Sequence, residues 1–269
     1  MIRKAVVAGQ FYPGNKASLT REVEECTRPK KQKIEAIGVV SPHAGYIYSG
    51  PVAGEVLSSL KPRQTYVILG PNHTGLGKPF GMDLEDAWAT PLGEVEVDKE
   101  LGEAILKRSG YIKKDSACHA AEHSIEVQLP FLQYLNKAFK FVPIVIAPGQ
   151  RVTYKKIGLE LATAIKDLKK DVTIIASSDM THYEPHEAAK KKDQMAIEKI
   201  LALDIDGFLD IVEEWNISMC GFAPTAIMMQ AAITLGANVA KLIKYNTSGD
   251  TSGDFSTVVG YAGIALYKE

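Results

Sequence analysis

Cysteine is scarce in this chain: Cys26, Cys118 and Cys220 are the only three among 269 residues. An odd number at wide spacing argues against a disulfide framework. An excess of charge of one sign is also missing. Lysine and arginine number 31 against 32 acidic residues, for a net charge of -1. That balance leaves no electrostatic footprint for nucleic acid. The one basic run, Lys190-Lys191-Lys192, falls in a predicted helix and reads as a solvated face. Long apolar runs are absent too. The first apolar stretch breaks at Gly9-Gln10 and is too short for a signal h-region. The segment from Ala223 to Gly236 carries Gln230 and is too short to span a bilayer. The expectation is a soluble cytoplasmic protein with no membrane partner. No Pro/Ser/Gly-rich linker, repeat or low-complexity tract divides the chain, so residues 1–269 are expected to form a single domain.

What is present is an alternation of Val- and Ile-rich runs with helical patterns. Strands are predicted near Ile37–Ser41, Tyr66–Gly70, Phe141–Ala147, Val172–Ser178, Val239–Tyr245 and Val258–Leu266. Helices are predicted near Ser18–Cys26, Val52–Leu60, Lys99–Arg108, Ser124–Leu135, Tyr154–Leu168, Glu187–Leu201, Asp206–Val212 and Thr225–Leu235. Thr90-Pro91-Leu92-Gly93 reads as a turn between two short strands. Several central strands are apolar without alternation, as when helices cover both sheet faces. The fold class is therefore α/β: three layers, with a central, mostly parallel mixed sheet.

Three of those strands run directly into polar residues. Val39-Val40-Ser41 leads to Pro42-His43, Val67-Ile68-Leu69-Gly70 to Pro71-Asn72-His73, and Ile174-Ile175-Ala176-Ser177-Ser178 to Asp179-Met180-Thr181-His182. Ligands of open α/β sheets sit outside the carboxyl ends of the strands. Neutral imidazole is both the commonest metal ligand and the usual proton shuttle near neutral pH. Asp179 is spaced to accept from one ring nitrogen of His182, which would make His182 a candidate general base; alternatively Asp179 caps a short turn. Cys220 stands just before a predicted helix start at Pro224, a placement that favours thiolate. Cys26 and Cys118 lack such a context and read as structural. His119-Ala120-Ala121-Glu122-His123 matches the H-x-x-E-H string of inverted zinc peptidases. A zinc hydrolase using His119, Glu122 and His123 is thus an alternative, while His123 by itself could reach the strand-end site. The small-residue loop Asn246-Thr247-Ser248-Gly249-Asp250-Thr251-Ser252-Gly253-Asp254 lacks the lysine of a P-loop and reads as a surface loop, so no nucleotide cofactor is expected.

Ala8-Gly9-Gln10-Phe11-Tyr12-Pro13, Pro42-His43-Ala44-Gly45-Tyr46, Gly70-Pro71-Asn72-His73, Thr90-Pro91-Leu92-Gly93, Glu122-His123-Ser124-Ile125-Glu126, Ser177-Ser178-Asp179-Met180-Thr181-His182 and Cys220-Gly221 occur in the order seen in the Memo family. The chain resembles a microbial Memo-like protein of the AmmeMemoRadiSam type across almost its whole length. The resemblance implies the fold of the class III extradiol dioxygenases. It also implies a metal site of His43, His73 and Cys220, with Asp179, His182 and His123 lining the same pocket as the catalytic groups. It points to iron or copper more than zinc. The function it implies is a redox or oxygen-handling metalloprotein acting on a small molecule or peptide. A non-catalytic binding module for a peptide or small anion is the alternative. Those dioxygenases use two histidines and a carboxylate. Cys220 in the third position departs from that pattern and places ring-cleaving activity in doubt.

Overall fold

The computed structural model describes residues 1–28, 30 and 32–269. In chain order the elements are β1 (Ile2–Arg3), α1 (Lys16–Cys26), β2 (Ala36–Ser41), α2 (Tyr46–Ser58), β3 (Thr65–Pro71), β4 (Phe80–Met82), β5 (Ala87–Thr90), β6 (Gly93–Glu96), α3 (Lys99–Arg108) and β7 (Lys113–Lys114). They continue with α4 (Leu129–Leu135), β8 (Lys140–Ile146), α5 (Arg151–Leu168), β9 (Val172–Ser177), β10 (His182–Glu184), α6 (His186–Leu201), α7 (Ile205–Glu214), α8 (Phe222–Thr234), β11 (Val239–Thr247), α9 (Gly249–Ser252) and β12 (Val258–Tyr267).

The main sheet runs β10-β12-β2-β9-β3-β8-β4-β7, with β11 also paired to β12. Its centre, β2-β9-β3-β8, is parallel throughout. β12 and β4 flank that centre antiparallel. The central strands are buried on both faces, which is why their sequences show no alternation. Helices α3, α5, α6, α7 and α8 form one covering layer, and α1, α2 and α4 form the other. β12 makes the two-sidedness visible. A side chain at Gly260 would run into Asp193 of α6, and one at Gly263 would meet Val56 of α2. A small separate sheet, β1-β5-β6, lies at the periphery. No described helix is long and apolar enough to cross a membrane.

One difference from the predicted elements positions the site. Helix α2 begins at Tyr46, not near Val52, and carries Pro51 inside it. Proline removes one intrahelical hydrogen bond. Here the carbonyl left without that bond belongs to Ile47, which is exposed at the first turn. The helix therefore starts three residues after His43, with the Tyr46 amide held by the Phe11 carbonyl at 2.8 Å.

Candidate metal centre

Strands β2 and β9 are neighbours, and their ends are tied together beyond the ladder. Asp179 Oδ1 accepts the backbone N–H groups of His43 (2.8 Å) and Ala44 (3.3 Å). The His43 ring then points along the sheet edge, with Nδ1 3.0 Å from Ser177 Oγ. The Ser177 hydroxyl donates to the Ser124 carbonyl at 2.6 Å and accepts from Gln128 Nε2 at 2.8 Å. Its one proton is spent, so toward His43 it can only accept. Nδ1 of His43 therefore carries the hydrogen, and Nε2 keeps its lone pair. Burial holds the His43 imidazolium well below its ordinary range, with His73 and His123 acting in the same direction. The ring is neutral at physiological pH.

His73 leaves the end of β3 and meets Glu122. Its backbone N–H donates to Oε2 at 2.7 Å and its Nδ1 lies 3.0 Å from Oε1. The amides of His123 and Ser124 donate to the same Oε1, each at 2.9 Å. Burial opposes ionisation of Glu122. The hydrogen bond and charge of His73, the Ser124 amide and the charge of His123 outweigh it and hold the carboxyl well below the usual range. An ionised carboxylate only accepts, so His73 Nδ1 also carries a hydrogen, and in the neutral ring Nε2 is then the acceptor. The His123 ring stacks on His73 at 4.8 Å and stands edge-on to His43 at 5.5 Å, with Phe11 behind it at 4.5 Å. Among the described residues, one ligand atom from each of His43, His73 and His123 lies within 4.8 Å of the others.

The expected ligand Cys220 stands beside this group and not within it. Its sulfur lies 3.2 Å from His43 Nε2 and accepts the Asp179 N–H at 3.3 Å. With Nε2 an acceptor, the thiol proton lies on the Cys220–His43 line. Gly221 caps α8 and donates to Ser178 Oγ at 2.9 Å. Proximity to that helix start does not favour thiolate here. Burial, followed by the Asp179 charge, pushes the Cys220 thiol far up. Burial also raises Cys118 to about 12 and Cys26 to about 11. Gly221 is required by space: a Cβ there would collide with the Ser178 side chain and lie 2.5 Å from the Ser177 carbonyl. Gly221→Ala should cost roughly 1–3 kcal/mol through overpacking. Urea unfolding measures it, and a loss below about 0.5 kcal/mol would show that the β9 end yields freely.

The anticipated Asp179–His182 hydrogen bond is not formed. Asp179 is turned to the amides after β2, and burial holds its carboxyl above the usual carboxylate range against the opposing pull of those two bonds. His182 opens β10 and takes Ser218 as partner: Nδ1 lies 2.9 Å from the Ser218 carbonyl, so it donates and leaves Nε2 free. Tyr183 follows in a left-handed conformation (φ 56°) with its side chain exposed.

The H-x-x-E-H string does not make a joint site. Ala117–His119 is a single 3-10 turn, so the one-face spacing of an α-helix does not apply. His119 is turned into the core against Trp88, with Nε2 3.1 Å from the Gly81 carbonyl and Nδ1 without a hydrogen-bond partner among the described residues. Burial lowers its imidazolium from 6.5 to about 4. Between those values the unfolded chain binds a proton that the folded chain refuses. Stability from His119 is therefore complete above about pH 6.5 and falls as pH drops through the window. It levels off below about pH 4, after a loss of up to about 3 kcal/mol. Denaturant unfolding at pH 7 and pH 4.5 should show this slope and a shallower one in His119→Phe. Equal slopes would contradict it.

Sequence reasoning missed Glu122 as the group that orients two histidines, and Ser177 and Gln128 as the pair that fixes His43. The available signals were Glu122 adjacent to His123, a serine ending an apolar strand, and Gln128 interrupting the apolar run from Ser124 to Leu135.

A family model described as Memo-like protein matches residues 3–265. A MEMO1 family protein of Methanopyrus kandleri is 46% identical over 282 residues, covering all of both chains. One of Methanothermobacter thermautotrophicus is 43% identical over 278 residues, covering 98% of this chain and all of its own. Among solved structures, an uncharacterized protein of Escherichia coli K12 superposes with a TM-score of 0.59 at 11% identity. It covers 85% of this chain and 98% of its own, a likeness of fold alone. From its third residue to within a few of its last, this chain belongs to the Memo family.

Proposed function

We propose that this protein is a redox or oxygen-handling metalloprotein. It holds one iron or copper ion on His43, His73 and His123 and acts on a small molecule or peptide in the cytoplasm. One observation carries the reading. Ser177 and Glu122 commit Nδ1 of His43 and His73 as donors, leaving their Nε2 lone pairs for the common space that His123 completes. Two imidazole acceptors converging beside a third ring suit a cation, which would displace the thiol proton now shared with His43 Nε2. Imidazole sets suit iron, copper and zinc, and a neighbouring sulfur shifts the preference toward softer ions. A redox-active ion would supply electron transfer and positions open to dioxygen or substrate.

The chain's own groups would do the rest. Ser177 and Glu122 hold the rings in their tautomers. Cys220 is the sulfur nearest the ion and the candidate fourth donor: a metal taking His43 Nε2 displaces the thiol hydrogen bond now made there. His182, with Nε2 free and Nδ1 anchored on Ser218, is the proton carrier beside the buried Asp179. Glu122 is not assigned as a ligand, because its oxygens already accept from His73, His123 and Ser124. The set therefore differs from two histidines and a carboxylate, and ring cleavage is not the reaction assigned. Exposed Tyr48, Leu76 and Tyr183 follow the three site loops in sequence and would form an apolar rim for the substrate.

The test is titration of tag-free protein with iron(II), copper(I) and zinc(II), followed by oxygen uptake of the loaded forms with a reductant. One equivalent of iron or copper bound, with metal-dependent uptake, is the expected result. Failure to bind any of the three would leave the binding-module reading in its place.

A further inference from the structure

The third residue of the chain reaches the loop that supplies Glu122 and His123. The Arg3 guanidinium donates from Nε to the His119 carbonyl at 2.8 Å and from Nη2 to the Glu122 carbonyl at 2.7 Å. Nη1 pairs with Glu126 Oε2 at 2.7 Å, and the group lies over the Trp88 ring at 3.9 Å. Its side chain is only 7% exposed and that of Glu126 is fully buried. Glu126 in turn accepts Val6 N–H at 2.9 Å, Val7 N–H at 3.1 Å and the Tyr12 hydroxyl at 2.6 Å. Between those contacts the segment presents Phe11 to both halves of the site. The ring lies 4.5 Å from His123, and the carbonyl holds the start of α2 just after His43.

We propose that Arg3 is a positioning residue for the three-histidine centre. It grips the two carbonyls that bound the turn from His119 to Glu122, and with Glu126 it fixes the loop from both sides. That grip sets where the Glu122 carboxylate meets His73 and where the His123 ring stands. The geometry is specific to arginine, whose planar fork serves three acceptors at once while its face covers an indole. Lysine has three donors on a single nitrogen, which cannot stand where Nε, Nη1 and Nη2 each meet a separate acceptor. The proposal rests on the metal-centre reading, and the test separates the two.

The probe is cobalt(II), bound in competition with a chromophoric chelator and observed through its visible bands. Arg3→Gln and Arg3→Lys are compared with wild type, together with Asp98→Asn. Asp98 caps α3 and pairs with Lys170, and it serves as a destabilised control remote from the site. Loss of an outer-shell partner weakens a metal by about 10- to 100-fold. Arg3→Gln should show a loss of that size and an altered cobalt spectrum, with Arg3→Lys failing to restore either. Asp98→Asn should lose thermal stability and keep wild-type affinity. Where Arg3→Gln does not fold, Tyr12→Phe removes one contact of the same bracket and should weaken cobalt several-fold. Wild type binding cobalt while the folded bracket variant binds within twofold would overturn the role of Arg3 alone. Wild type binding no cobalt would overturn the metal centre and the positioning role with it.

Discussion

His43→Ala is expected to lower metal affinity by more than about 100-fold and to leave the fold in place. Loss of an outer-shell partner already costs about 10- to 100-fold, and loss of a ligand exceeds it. In the proposed centre His43 is the ligand on which the most would depend. Its Nε2 faces both the shared space and Cys220 Sγ, and its Nδ1 closes a chain through Ser177, Gln128 and Ser124. The fold survives because the backbone of residue 43 keeps its own bond to Asp179, which an alanine also makes. Competition titration with copper(I) measures the affinity, and thermal melting reports the fold. Unchanged affinity in a folded His43→Ala would place any bound ion elsewhere.

Glu122→Gln is expected to weaken both the fold and metal binding, because charge and tautomer, and not shape alone, organise the site. The amide has nearly the size of the carboxylate but only one acceptor atom. Oε1 now accepts from His73 Nδ1, His123 N and Ser124 N, while Oε2 accepts from His73 N. With oxygen kept at the first position, the new NH2 faces the His73 amide, donor against donor. A buried unsatisfied group costs about 1–3 kcal/mol. His73 also loses the carboxylate that holds its proton on Nδ1, so metal affinity should fall by about 10- to 100-fold. Denaturant unfolding and metal titration should show both losses together. A variant with wild-type values in both would mean that the glutamate merely fills space.

The strand ends were legible because a short apolar run ending in a polar residue is a local signal. β2, β3 and β9 lie where their Val- and Ile-rich runs predict, and His43 and His73 stand at their carboxyl ends. The partners of those residues were not legible, because they come from loops without periodicity. Glu122 and His123 belong to a succession of tight turns, and their meeting with His73 depends on a return from 49 residues away. Asp179 was read toward His182, three residues on. The sheet instead lays its carboxylate against amides 135 and 136 residues away. Cys220 was read from its helix start, but burial beside Asp179 decides its acidity. Arg3 gave no signal at all: a basic residue in a two-residue edge strand looks solvated until Glu126 and Trp88 are placed against it.

The most direct measurement is the anomalous-scattering crystal structure of the protein loaded with one equivalent of copper or iron. The account predicts a single ion bonded to Nε2 of His43 and His73 and to a ring nitrogen of His123, with Glu122 still bonded to His73 Nδ1. An ion that leaves His123 unbound, or one seated at His119, would contradict it.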